Sequence, residues 1–184
     1  MIDLKTDLKE RRLIETLDTA VRQESVALVL ERIVTRLDQE LTDEPDALMA
    51  WEVVPLTTYG VELPKVILSS WVFVLRADVA TGAEYHPNSQ QRMMSYRGEG
   101  DFPVWNEGKW QSNFLTSAPN APLENRWLSI PTNTWHQSLK PKENWVIVSF
   151  HSAKAAELTE VRGDPANPTS LDSSRYLERE HGAG

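Results

Sequence analysis

Two segments of this chain carry side chains able to titrate, donate hydrogen bonds or hold a metal. The first runs Gly82-Ala-Glu-Tyr-His86-Pro-Asn88-Ser-Gln90-Gln-Arg92-Met-Met94-Ser-Tyr96-Arg-Gly98. Alternate side chains of an extended strand share a face. His86, Asn88, Gln90, Arg92, Met94 and Tyr96 therefore form one line, provided that no bulge intervenes. The other face holds Pro87, Ser89, Gln91, Met93, Ser95 and Arg97 and is no more apolar. The polar line is expected either at the surface or as the wall of a polar cavity. The second segment runs Arg126-Trp-Leu-Ser-Ile-Pro131-Thr-Asn133-Thr-Trp135-His136-Gln137. A strand should reach Pro131, turn through Thr132-Asn133-Thr134 and deliver His136 just beyond the turn.

The chemistry open to these residues is specific. An imidazole at His86 or His136 suits general acid–base work, and the pair suits one divalent transition metal (Zn, Ni, Fe or Cu) whose shell water or substrate completes. Arg92 suits a carboxylate or phosphate gripped through two parallel hydrogen bonds; the competing role is an ion pair with an internal acid such as Glu84. Tyr96 is either a general acid or a packed ring with a hydrogen-bonded tip. Trp135 borders any pocket that holds His136, and the remaining tryptophans read as core. His151 reads as structural and His181 as solvated.

Composition narrows the field. Among 184 residues there is no cysteine, so thiolate metal sites, disulfides and cysteine nucleophiles are excluded. Asp plus Glu number 27 against 19 Lys plus Arg, a net charge of −8 that argues against a sequence-nonspecific nucleic-acid partner. No apolar run reaches the roughly 20 residues of a membrane helix. The first dozen residues carry charge where a secretion signal needs an apolar stretch, so no membrane partner and a cytoplasmic location are expected.

Two regimes meet near Glu44-Pro45-Asp46. Before them the period is helical: Leu13, Leu17 and Ala20, then Val26, Leu30, Ile33, Leu37 and Leu41 recur at three and four. The spacing predicts helix over Asp7 to Arg22 and Glu24 to Leu41, as a hairpin of two helices or one bent helix, with Ser25 as a candidate N-cap. Their apolar stripe must be covered by the rest of the chain or by a second copy. After Pro45 the signals are those of strands: Trp51 to Val54, Val66 to Leu75, Glu84 to Tyr96, Lys109 to Thr116, Arg126 to Ile130 and Trp145 to His151. Strands this closely spaced indicate a barrel or sandwich. The expected organisation is a helical arm over 1–44, a mainly β barrel over 45–162 and a polar tail over 163–184, with one helical turn near Ser174 to Glu180.

Together the two polar segments resemble the motifs of the cupin superfamily, roughly G-x5-H-x-H-x3-4-E-x6-G and G-x5-P-x-G-x2-H-x3-N. His86-Pro87-Asn88 stands at H-x-H, Arg92 or Met93 at the glutamate, Gly98 or Gly100 at the closing glycine, and Pro131-Thr-Asn133-Thr-Trp-His136 at P-x-G-x2-H. The resemblance covers about residues 50 to 153. It implies a double-stranded β-helix, a jelly-roll barrel, with a degenerate metal motif. It implies binding, with or without conversion, of a small polar or anionic metabolite by His86, Asn88, Gln90, Arg92, Tyr96, Trp135 and His136. The metal ligands it implies are His86 and His136, with Gln90 as a weak oxygen ligand. A guanidinium at the glutamate position would oppose a divalent cation. Cupins commonly dimerise, so a homodimer is expected, with the helical arm a sensible means. The alternatives are a non-catalytic binding protein whose metal site is lost and, less favoured, a cupin-type transcription regulator, since the two helices have no basic face.

Overall fold

The structure, a computed structural model, describes residues 1–60 and 62–178. Helix α1 (Leu8–Val21) begins at Asp7, whose carboxylate accepts from the Lys9 and Glu10 amides and so satisfies two of the four orphan donors of a helix start. Helix α2 (Glu24–Asp43) buries Val26, Leu30, Ile33, Val34, Leu37 and Leu41, the stripe that the helical period predicts. Gln23, not Ser25, stands at its N-cap position and makes no side-chain cap. At the far end Arg76 donates to the carbonyls of Leu41, Glu44 and Ala47, closing the helix with a cation where the dipole is negative. No described helix is long and apolar enough to cross a membrane.

The rest is β. The strands are β1 (Met49–Val54), β2 (Ser69–Leu75), β3 (Glu84–Tyr85), β4 (Gln91–Arg97), β5 (Glu99–Asp101), β6 (Val104–Asn106), β7 (Lys109–Gln111), β8 (Phe114–Thr116), β9 (Trp127–Ile130), β10 (Trp145–His151), β11 (Thr159–Asp164) and β12 (Asn167–Arg175). One antiparallel sheet has the order β1-β2-β10-β4-β9. The other has the order β12-β11-β3. Two single bridges, Glu84 with His136 and His136 with Val104, carry it onto the β6–β7 hairpin. Strands β5 and β8 pair at the corner. Neighbours are distant in sequence: β10 lies between β2 and β4, and β4 between β10 and β9. Such crossovers between two packed antiparallel sheets are those of a jelly roll, so the mainly β double-stranded β-helix that the motifs imply is the observed fold.

Side-chain alternation divides two cores. Trp71, Phe73, Met93, Leu128, Ile130, Trp145 and Ile147 face into the barrel, together with Phe102, Leu115 and Tyr176. Val72, Val74, Met94, Trp127, Val146, Val148 and Phe150 point the other way, onto α1 and α2. The helical stripe is thus covered by the barrel itself. A sheet covered on both faces buries every residue of β2 and β10, so apolar residues stand on both faces of each strand. Gly100 belongs to this packing, because a Cβ there would collide with the Trp145 indole.

Three expectations are corrected. The stretch from 163 onward is not a peripheral tail over its described part: β12 pairs with β11, Ser173 opposing Val161, and Tyr176 closes the barrel core. Its polar sequence is that of an edge strand, which has one neighbour and a solvent face. The expected turn near Ser174 is a short 3-10 turn at Tyr176–Glu178; His181 lies outside the described residues. The expected strand from Glu84 to Tyr96 is two strands separated by a turn at Pro87 and Asn88. The expected strand Lys109 to Thr116 is likewise split into β7 and β8.

Candidate metal centre

The break between β3 and β4 decides which side chains enter the barrel. Before it, the even-numbered Glu84 and His86 point inward. The chain then crosses from one sheet to the other, and beyond the crossing the odd-numbered Gln91, Met93 and Ser95 point inward. A change of parity moves every side chain to the opposite face. The line from His86 to Tyr96 is therefore not one line.

His86 and His136 are both buried, with ring centroids 5.3 Å apart. The His86 Nδ1 lies 3.0 Å from the Thr159 carbonyl oxygen, and the His136 Nδ1 lies 2.8 Å from that of Thr134. A carbonyl only accepts, so each Nδ1 carries the proton, and in the neutral ring Nε2 keeps its lone pair. Glu84 faces His136 across an antiparallel bridge in which each backbone amide donates to the other residue's carbonyl at 2.9 Å. One ligating atom each from Glu84, His86 and His136 lie within 4.8 Å of one another. The His136 Nε2 is buried without a hydrogen-bond partner; the nearest Glu84 oxygen stands 3.6 Å away.

Gln91 is a further inward acceptor near Glu84. Its Nε2 donates to the Ser149 Oγ at 3.1 Å, and its Oε1 is buried without a partner. Gln91 and Glu84 line one cavity of about 30 Å³ with Phe73, Phe102, Ile147 and Tyr176. That volume is about one water's share of liquid. Burial opposes ionisation of Glu84, but His136, His86 and Arg162 outweigh it and pull its carboxyl down to about 2. Burial, with His136 beside it, lowers His86 to about 4 against the opposing pull of Glu84, which keeps this ring neutral. An anionic carboxylate and two imidazole lone pairs fit a divalent cation, and the Gln91 oxygen is a further acceptor beside the same carboxylate.

Of the residues expected to form the site, His86 and His136 are there. Asn88 is exposed and spans the Glu157 carbonyl and the Thr159 amide. Gln90 and Arg92 point to the helical side, where both bond Glu10 of α1. Tyr96 packs against the helical core, and burial together with Glu31 raises its hydroxyl's pKa. Trp135 packs edge-on against Tyr85. Arg92 is thus an ion-pair partner, not an anion anchor, and its acid is Glu10, not Glu84. His151 is buried between the Ser89 and Ser149 hydroxyls, and its ring centroid stands 5.2 Å from that of His86.

Glu84 and Gln91 were missed because the motif was laid two residues too late. Placed earlier, Asp78 takes the first glycine's place, Glu84-Tyr85-His86 stands at H-x-H, Gln91 at the glutamate and Gly98 at the closing glycine. Backbone handedness supports this register: Asp78, Gly98 and Asn133 all have positive φ, at 61°, 85° and 57°, where the motifs place glycine.

The rolled sheets and the inward Glu84, His86, Gln91 and His136 define a barrel of the cupin fold. Solved structures similar to the chain are cupin-fold proteins. Oxalate oxidase in complex with the substrate analogue glycolate is 14% identical, over 58% of this chain and 51% of that one, with a TM-score of 0.44. Lactobacillus farciminis oxalate decarboxylase in its formate complex is 10% identical, over 62% and 31%, with a TM-score of 0.47. Procruciferin, an 11S globulin from Brassica napus, is 16% identical, over 62% and 28%, with a TM-score of 0.47. The likeness is confined to the course of the chain, which spans about half or less of each of these proteins. No family model and no curated protein matches the chain.

Proposed function

We propose that this chain is a metal-binding cupin. It holds one divalent first-row transition ion through Glu84, His86, His136 and Gln91 and presents it to a small polar or anionic ligand. The observation that carries the reading is the unpartnered, buried Nε2 of His136, aimed at a carboxylate and accompanied by a second imidazole whose Nδ1 is likewise committed to a carbonyl. Lone pairs crowded this closely repel one another unless a cation lies among them. Two histidines and a carboxylate leave coordination positions open, as in mononuclear oxygen-activating sites. Bound there, such an ion supplies a Lewis acid to whatever fills those positions. The protein's own part is to fix both ring tautomers and to exclude bulk water with Phe73, Phe102 and Tyr176. The cavity beside Glu84 and Gln91, about one water in size, leaves no room there for a sugar-sized metabolite.

The test is metal titration of the chelator-stripped, untagged chain with Mn2+, Fe2+, Co2+, Ni2+, Cu2+ and Zn2+. Free metal at a hundred times Kd stabilises by about 2.7 kcal/mol, which raises Tm by roughly 5–10 °C in a domain of this size. His86→Ala and His136→Ala should abolish the shift. No shift with any of the six ions would leave Glu84 and His136 as an internal ion pair and favour a binding protein whose metal site is lost.

A further inference from the structure

Gln91 is the one member of the set whose side chain has two chemically opposite ends. An amide oxygen turned to the cavity accepts a cation, whereas an amide nitrogen there would repel it and favour an anion. From the hydrogen bonds behind Gln91, we infer that a buried relay through Ser149, His151 and Ser89 makes this choice. Ser149 and His151 are then positioning residues for the metal site. The inference rests on the metal-binding reading.

The direction of each bond follows by counting protons. The Ser89 Oγ accepts from the Ser152 amide at 3.1 Å and gives its only proton to the Gln90 carbonyl at 3.2 Å. Toward the His151 Nδ1, 3.3 Å away, Ser89 can therefore only accept. That places the imidazole proton on Nδ1 and leaves Nε2 as an acceptor. The Ser149 Oγ, 3.0 Å from this Nε2, must donate to it. With its one proton spent, Ser149 can only accept from Gln91, 3.1 Å away, and the group that donates is the amide nitrogen. The oxygen of Gln91 is thereby turned away from Ser149 and left without a protein partner. Ser149, His151 and Ser89 are all buried to 1% exposure or less, so water does not compete for these bonds. The relay starts from two backbone groups, the Ser152 N–H and the Gln90 carbonyl, whose polarity cannot reverse. It fixes the sign of the charge that the site accepts.

The experiment uses the full chain, stripped of metal and titrated with Co2+, following both heat and the visible ligand-field absorption. Removing a group that orients a ligand typically weakens metal binding about 10–100-fold. Ser149→Ala should do so and alter the Co2+ spectrum, and Ser149→Thr, which keeps the hydroxyl, should restore both. In a Gln91→Glu background the two ends of the side chain are equivalent oxygens, so adding Ser149→Ala should change Co2+ affinity far less than it does beside Gln91. If Ser149→Ala does not fold, His151→Phe, which removes the acceptor for Ser149, takes its place in the same comparison. Two results would overturn the relay: Co2+ affinity and spectrum unmoved by Ser149→Ala, or an equal loss beside Gln91 and beside Glu at that position, which marks a packing defect. Failure of the wild-type chain to bind Co2+ or any of the other five ions would instead overturn the metal-binding reading beneath it.

Discussion

The contact between the helical arm and the barrel turns on Glu10 and Arg92, and replacing either should be costly. Glu10 Oε1 receives Arg92 Nε at 2.7 Å, the Ser129 hydroxyl at 2.6 Å and Gln90 Nε2 at 3.1 Å, while its Oε2 receives Arg92 Nη2 at 3.1 Å. Both side chains are buried, and Arg92 Nη1 already lacks a partner. Glu10→Gln keeps the volume but removes the charge, so a guanidinium is left in the interior without its counter-ion. Breaking a buried pair from one side costs about 3–5 kcal/mol. For a chain of this length that lowers Tm by roughly 6–20 °C. Arg92→Met, which strands the carboxylate instead, should cost a similar amount. The double replacement Glu10→Leu with Arg92→Met removes both charges and should recover most of the loss, because an apolar pair of similar volume often matches a buried ion pair. Urea unfolding of wild type, Glu10→Leu, Arg92→Met and the double variant, followed by circular dichroism, gives the cycle, with Glu10→Gln measured beside it. A Glu10→Gln cost below about 1 kcal/mol, the range of an exposed pair, would refute the argument. Weaker Co2+ binding in the folded double variant would return Arg92 to the barrel site, since the structure puts it on the opposite face of the sheet.

Three further outcomes follow from the same packing. Gly100→Ala drives a methyl group into the Trp145 ring and should cost about 1–3 kcal/mol as an overpacking defect, read from the urea midpoint. Asp18 is partly buried, which opposes ionisation, yet bonds to Arg126 and Trp127 hold its carboxyl below the ordinary 3.8. The folded state therefore binds the proton less readily than the unfolded one. The stabilisation is present above pH 3.8 and is lost as pH falls below it, so urea midpoints of wild type and Asp18→Asn should converge on acidification; a constant gap would contradict the assignment. Ending the chain after Arg162 removes β12 and Tyr176, uncovers Trp51, Trp71 and Phe73, and should abolish cooperative thermal unfolding; an intact transition would show that these residues are dispensable.

Much of the fold was legible because burial and local period agree. Helices α1 and α2 carry a clear stripe, and β2, β9 and β10 are apolar runs between turn residues. Strand β12 was not legible, because Asn167-Pro-Thr-Ser-Leu-Asp-Ser-Ser-Arg175 has the composition of a loop. An edge strand is held by backbone hydrogen bonds to one neighbour, and these leave no mark on side-chain type.

The site was half legible for a more specific reason. A histidine flanking a turn can be read from residue types, as His86 ahead of Pro87-Asn88 and His136 just past Thr132-Asn133-Thr134 are. Which face of a strand is buried can be read only when one face is apolar. Here Met93 looks into the barrel and Met94 onto the helices, Ser95 inward and Tyr96 outward, so both faces of β4 are covered and neither is marked. Parity then depends on how many residues the chain spends crossing between sheets at Pro87 and Asn88, a tertiary quantity. A miscount by one residue exchanges Gln91 for Arg92 at the wall of the cavity. That exchange puts a fixed cation where the structure has a neutral oxygen, and so reverses the charge of the ligand inferred. The positive φ at Asp78 and Gly98 settles the count, because each then falls where the first motif places a glycine.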